Sequence, residues 1–285
     1  MINGDRGVSI TLIAVILGLL IAMGVGAIGA EEISGDEVLE NMDRQSEIVT
    51  QGDITSVLTF NNENADGTTN SRKFGALAHK KEGESNYQLV YFLEPQFIRG
   101  SIFLSKENED GTTRMWLFLP ALQQPKELSA SKQEGSFAGS ALSYEEIGSW
   151  TMSTEFNAEI VEETTVEVGD ETFPVYKLDL TPKEGVEVDN PDRTVWIAKE
   201  SWLLMKSEQY GPEGELKKTM EVKSVTTFEG KTVTKELTTA DVESGKSTTV
   251  IYETRERPPK EVPMSTFAPE HLSEFDPVKW GLAEE

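Results

Sequence analysis

Hydrophobic and polar positions alternate with a period of two along most of this chain, from Ile54 to Thr254. Ile54, Ser56, Leu58 and Phe60 face one way and Thr55, Val57 and Thr59 the other, as β-branched and aromatic residues do in a strand. The same rhythm predicts strands over 72–79, 87–93, 158–168, 175–180, 194–198, 203–209, 216–228, 232–239 and 247–254. Turn sequences separate them, among them Asn64-Ala65-Asp66-Gly67, Glu82-Gly83-Glu84, Val168-Gly169-Asp170, Glu229-Gly230 and Glu243-Ser244-Gly245. No linker or repeat of fixed period interrupts the series. It reads as one continuous antiparallel sheet in which sequence neighbours pair.

The stretch from Glu94 to Ile147 departs from simple alternation. Ile102, Leu104, Trp116 and Phe118 alternate with Phe103, Met115, Leu117 and Leu119 on either side of Asn108-Glu109-Asp110-Gly111, which predicts a β-hairpin. Both of its faces are apolar. A half-solvated antiparallel strand shows one apolar face, so each side here must be covered by other parts of the chain or by a ligand. Two candidate covers are visible. Ser34-Gly35-Asp36-Glu37 forms a capping box opening a short helix that ends before Gly52, with Val38, Leu39 and Met42 as its apolar stripe. After Pro258-Pro259 ends the last strand, residues 265–272 predict a short docked helical turn.

Only the N-terminus lacks the strand pattern. An almost unbroken apolar run from Val8 to Ile28 follows Arg6, and the small residues Ala27, Gly29 and Ala30 suit a cleavage site. The run is also long enough to span a bilayer. Residues 1–30 are therefore a signal peptide or an uncleaved N-terminal anchor, and residues 31–285 a single domain that lies outside the cytoplasm, periplasmic or at the cell surface.

The net charge of -24 excludes a general nucleic-acid binder, since nothing would neutralise phosphates, and argues against electrostatic adhesion to anionic lipid. It reads as a device for solubility. With no cysteine, disulfides, thiolate catalysis and a lipid-modified N-terminal cysteine are all absent. The two histidines, His79 and His271, have no partner at ligand spacing, so no metal site is expected.

Candidate chemistry is sparse. Ser129-Ala130-Ser131-Lys132 matches the S-x-x-K pattern of penicillin-recognising serine enzymes, but its companion motifs are missing and a polar loop explains it better. Asn62 to Gly67 resembles the start of a calcium loop, yet the twelfth position, where a bidentate Glu belongs, is Lys73. Glu145 and Glu146, read as neighbours in a strand, would point to opposite faces and could not act as an acid/base pair. No catalytic set remains, so the expectation is a non-enzymatic protein without a cofactor. What remains is an excess of aromatic residues around the hairpin, which suit the lining of an apolar cavity in a curved sheet.

Several motifs in order carry a resemblance. Phe92-x-x-Pro95, Arg99-Gly100-Ser101-Ile102-Phe103-Leu104, Trp116-x-x-Leu119-Pro120, Ser136-Phe137-Ala138-Gly139-Ser140 and Ser143-Tyr144-Glu145-Glu146 resemble the outer-membrane lipoprotein-sorting family, the LolA-like proteins. Tyr176 to Lys183, Val195-Trp196-Ile197 and the Phe267 to Leu272 ending fit the same branch, so the likeness covers nearly all of the chain after residue 30. The chain departs from the family at Ala121 to Lys126, where basic residues are usual, and at Ala141-Leu142, where Asp-Phe is usual. The resemblance implies a mainly β fold: a curved antiparallel sheet of about eleven strands forming an unclosed half-barrel, with short helices covering the concave side. It implies a carrier that binds the acyl chains of a lipid or lipoprotein, exchanged with a membrane-bound donor or acceptor protein. The expected lining is Phe92, Ile102, Leu104, Trp116 and Phe118, with Phe137 and Tyr144 on a covering loop. The alternative is a membrane-anchored extracytoplasmic sensor or regulatory module that binds protein on the same scaffold.

Overall fold

In the computed structural model the described residues are 33–81, 84–108, 112–148, 152–186, 188 and 190–284. The N-terminal export or anchor segment, Glu82-Gly83 and the hairpin tip Glu109-Asp110-Gly111 lie outside them. The chain opens on helix α1 (Gly35–Thr50). Two runs of strands follow. The first is β1 (Gly52–Glu63), β2 (Thr69–Lys80), β3 (Asn86–Glu94), β4 (Ile102–Glu107), β5 (Thr113–Leu119) and β6 (Gln124–Glu127). After the short helices α2 (Ala130–Gln133) and α3 (Tyr144–Gly148) comes the second: β7 (Phe156–Val168), β8 (Glu171–Pro182), β9 (Asp192–Ala198), β10 (Leu204–Tyr210), β11 (Leu216–Phe228), β12 (Lys231–Asp241) and β13 (Lys246–Glu256). A segment of 3-10 turns, Met264–Phe267, Pro269–Glu274 and Val278–Trp280, closes the described chain.

All thirteen strands belong to one antiparallel sheet, ordered β6-β5-β4-β3-β2-β1-β13-β12-β11-β10-β9-β8-β7. Each run is a meander, and the pairing of β1 with β13 joins the two. The sheet has two free edges, β6 and β7, so it does not close. The count of thirteen corrects the expected eleven or so. The strand missed outright is β6, four residues with the sequence Gln-Pro-Lys-Glu, which carries no alternation and pairs along Trp116 to Leu119.

The sheet curves strongly. In α3, Glu146 accepts a hydrogen bond from Lys218 Nζ on β11 at 2.6 Å, while Gly148, two residues on, sits hard against Met115 and Ser105 of β5 and β4. β4 and β11 are six places apart in the strand order. In a flat sheet that is about 29 Å, beyond the reach of one glutamate and one lysine. The sheet therefore bends around α3, which defines an inner face. At the far edge, β7 also comes within 8 Å of β11, four places away, where Val168 packs with Met205 and Val222.

Helix α1 lies on the inner face of β7 to β9. Ser34 caps it as predicted: its hydroxyl accepts from Glu37 N, and Glu37 reaches back to the Ser34 amide. Val38, Leu39 and Met42 pack on Phe156, Leu178, Leu180, Val195 and Ile197. The helix approaches so closely that a Cβ on Gly35 would lie 2.2 Å from the Ala158 carbonyl oxygen. Backbone cannot yield as a side-chain tip can, so Gly35→Ala is expected to lower stability by about 1–3 kcal/mol or more. An unchanged urea midpoint would show that this contact is looser than drawn.

Both sides of the β4–β5 hairpin are covered, as its composition requires. On the inner face, Phe103 and Met115 join Leu58, Phe60, Phe74, Val90 and Phe92 beneath Phe137. On the outer face, Leu77, Leu89, Ile102, Leu104, Trp116 and Phe118 lie beneath Val262, Phe267, Leu272, Trp280 and Leu282 of the C-terminal segment. That segment is the second cover, and Gly75 is where it seats: a Cβ there would meet Leu282 Cβ at 2.8 Å.

Candidate functional site

The inner face of β1 to β5 carries a dense aromatic cluster, and one side chain fills its centre. Phe137 is fully buried, with ring centroids 6.1 Å from Phe60, 5.4 Å from Phe74, 5.5 Å from Phe92, 5.7 Å from Phe103 and 5.2 Å from Tyr144. These are the tilted and edge-on separations at which aromatic pairs attract. Phe137 is carried by a tight irregular loop. Its amide donates to Leu142 O, Ser136 Oγ donates to Ser140 O, and Ala138 and Gly139 both have positive φ, 52° and 82°. The loop is tied to the sheet where Ala141 N donates to Thr248 Oγ1 at 2.8 Å, and where Lys218 meets Glu146.

Tyr144-Glu145-Glu146 is helical, which corrects its reading as a strand. Ser143 is the N-terminal cap of α3: Glu146 N donates to Ser143 Oγ and Ser143 N donates to a Glu146 carboxylate oxygen. The sequence S-x-x-E was the available signal, the same box that identified α1. Tyr144, half-buried on Phe137 and Phe103, has its phenol pKa pushed above the usual value by burial.

The seven expected lining residues do not share one surface. Phe92, Phe137 and Tyr144 meet on the inner face. Ile102, Leu104, Trp116 and Phe118 lie on the outer face beneath the C-terminal segment. Phe60, Phe74, Phe103 and Met115 complete the inner cluster instead. Two clefts open elsewhere. One of about 190 Å³ lies within the C-terminal segment at His271, Phe275 and Trp280, and one of about 180 Å³ lies between Val166–Gly169 and Glu221–Lys223.

Beside the aromatic cluster, toward β7 and β9, the inner face turns polar. Asp43 of α1 is buried and accepts from the Met152 and Ser153 amides at 3.1 Å and 2.7 Å. Burial nevertheless holds its carboxyl pKa above the ordinary value, against those hydrogen bonds and the charge of Lys80. Glu155 is likewise raised, chiefly by burial. Arg193 is lowered by burial, opposed by Glu155, Glu146 and Glu145. A carboxyl whose folded pKa exceeds its unfolded one contributes stability at acid pH that is lost as pH rises through the raised value. Asp43→Asn keeps an acceptor and removes the ionisation. Thermal unfolding at pH 4 and pH 7 is expected to show the variant gaining on the parent protein as pH rises. If it loses ground instead, the two amide hydrogen bonds outweigh desolvation.

The remaining sequence candidates find structural explanations. Ser129 and Lys132 are exposed at α2, where Ser129 Oγ lies 3.4 Å from Ser131 Oγ. Asn64, Asp66 and Thr68 hydrogen-bond to one another across the β1–β2 turn. His79 does have partners: Asp53 Oδ1 lies 2.7 Å from its Nδ1 and Glu84 Oε2 3.4 Å from its Nε2. Asp53 is its direct cross-strand neighbour, a pairing that becomes visible only with the register. Among the described residues no group of three or more His, Asp and Glu could hold a metal ion, and no helix is long and apolar enough to cross a membrane.

The fold recurs in solved structures. A DUF1329 family protein from Desulfovibrio piger superposes with a TM-score of 0.72 at 20% identity, over 82% of this chain and 98% of its own. A domain described as an outer membrane lipoprotein-sorting protein, from Vibrio parahaemolyticus, gives 0.72 at 22% identity, over 84% and 98%. A LolA superfamily protein from Nitrosomonas europaea gives 0.61 at 18% identity, over 83% and 98%. At these identities the likeness establishes a LolA-like fold. Residues 84–274, more than half of the 285, match a family model described as "Uncharacterized protein". Among curated proteins none matches this chain.

Proposed function

We propose, for a chain that belongs to the family matched over residues 84–274 and carries the LolA-like fold, that it is a non-enzymatic extracytoplasmic carrier. Its curved sheet is an unclosed half-barrel, and the inner wall takes the acyl chain of a lipid or lipoprotein. The observation that supports this reading is Phe137. The largest apolar patch of the inner wall is closed by Phe137 on an irregular loop, with Tyr144 and Ile147 of the five-residue helix α3 beside it, rather than by a strand or a long helix.

Such a plug is replaceable by a guest of the same character. Burial of apolar surface is non-directional, so a hydrocarbon tail can recover what the departing ring gives up. One acyl chain taken out of water gains on the order of 10 kcal/mol before ordering costs. The seating of the plug is also imperfect. Ser105 Oγ is buried under Gly148 and, among the described residues, has no hydrogen-bond partner, an arrangement that costs about 1–3 kcal/mol when a hydroxyl is left unpaired.

In this reading the lining is Phe92, Phe103 and Met115 with their neighbours, and Phe137 and Tyr144 form the movable cover. Ile102, Leu104, Trp116 and Phe118 hold the C-terminal segment. Export by residues 1–30 would bring the protein to its guest, which it would exchange with a membrane-bound donor or acceptor protein. The test is extraction of gently purified protein for mass spectrometry, together with uptake of a fluorescent fatty acid. Repeated absence of bound lipid and of uptake would sink the carrier and leave the fold.

A further inference from the structure

We propose that Arg193 is the headgroup anchor of this carrier and selects a guest with a monoanionic carboxylate, a free fatty acid, over a neutral lipid of the same length. The inference rests on the carrier reading above and adds the guest's chemistry to it.

Arg193 opens β9 on the inner face, opposite Leu180 and two residues from Val195. Its guanidinium lies over the ring of Phe156, 4.5 Å from the centroid. It is half-buried, yet among the described residues it has few acceptors. Its Nε donates to Asn190 O at 3.5 Å, the limit for such a bond, and among the described residues no carboxylate comes within ion-pair distance. A guanidinium has five donors in a planar fork. Burying one without acceptors is costly, and a carboxylate accepting two parallel N–H bonds is the geometry that satisfies it.

The surroundings limit the charge of the guest. Glu146 is engaged by Lys218 at 2.6 Å. Glu145 and Glu155 act on Arg193 without contact. Two cations do not outweigh these three glutamates, so a dianion would meet more repulsion here than a monoanion, whose single charge the fork itself can pair. The place suits a headgroup as well. Arg193 faces the helix whose first residue, Tyr144, packs on Phe137 and Phe103, so a head held at Arg193 directs its tail toward the plugged aromatic wall.

The experiment compares palmitate with hexadecanol at pH 8, each measured on the purified full chain by displacement of an uncharged fluorescent naphthylamine. Palmitate is expected to bind about tenfold more tightly than hexadecanol, the usual return on a charge-assisted pair. Arg193→Gln should abolish that preference with hexadecanol binding unchanged, and Arg193→Lys should keep part of it. No preference in the parent protein overturns the anchor and leaves the carrier standing. Equal weakening of both ligands by Arg193→Gln overturns it too, by showing a purely structural role. If neither ligand displaces the probe, carrier and anchor fall together.

Discussion

Ending the chain after Glu261 is expected to leave the protein insoluble. The deletion removes Val262, Phe267, Leu272, Trp280 and Leu282, each at most 5% exposed, and uncovers Leu77, Leu89, Ile102, Leu104, Trp116 and Phe118 together. At about 1.5–3 kcal/mol for each large buried side chain, the five anchors contribute roughly 10 kcal/mol gross, which rivals the whole stability of an ordinary domain. The hydrogen bonds within this segment close its own turns, such as Thr266 N to Pro263 O and Leu282 N to Pro277 O. To the sheet the Val262 amide donates one long bond, to Asp53 Oδ2 at 3.4 Å, so side-chain burial is the main hold. A milder form of the same test is Leu272→Ala, expected to lower stability by about 2–5 kcal/mol in urea. Should the truncated chain remain soluble with an unchanged urea midpoint, the outer face needs no cover.

That cover also shows what the sequence could and could not convey. The need for it was legible, because Ile102, Leu104, Trp116 and Phe118 alternate with an equally apolar set, and alternation fixes which side chains share a face of one strand. The identity of the cover was only half legible: a docked turn was readable at 265–272, but Trp280 and Leu282 carry no period. The grouping of the lining residues failed for a related reason. Phe92 was placed with Ile102, yet the register sets Tyr91 opposite Ile102 and turns Phe92 to the inner face. A shift of one residue moves every side chain of a strand to the other side, and register is set by turn geometry that the residues 95–101 do not disclose by pattern. The joining of β1 to β13, about two hundred residues apart, is likewise invisible to local periodicity. α1 was readable because a capping box is local chemistry. α3 carries the same box at Ser143 and Glu146, but it is five residues long and its apolar neighbours looked like strand.

Phe137→Ala separates the two roles a buried ring can play. If Phe137 is ordinary core, deleting it leaves a void among Phe60, Phe74, Phe92, Phe103 and Tyr144, and the loss should be about 3–5 kcal/mol whatever else is in solution. If it is a stand-in for a guest, the void is a vacated site. Fatty acid should then bind the variant more tightly than the parent protein, because it no longer has to displace the ring. Ligand that binds the folded state alone raises stability by about 2.7 kcal/mol at one hundred times its dissociation constant. Saturating palmitate is thus expected to restore most of the lost thermal stability of Phe137→Ala while raising that of the parent protein less. Leu178→Ala, a core deletion beneath α1 and away from this wall, supplies the control and should show no such rescue. Equal responses of both deletions to palmitate would return Phe137 to the core, because a ring that no guest can replace is holding the sheet together rather than holding a place.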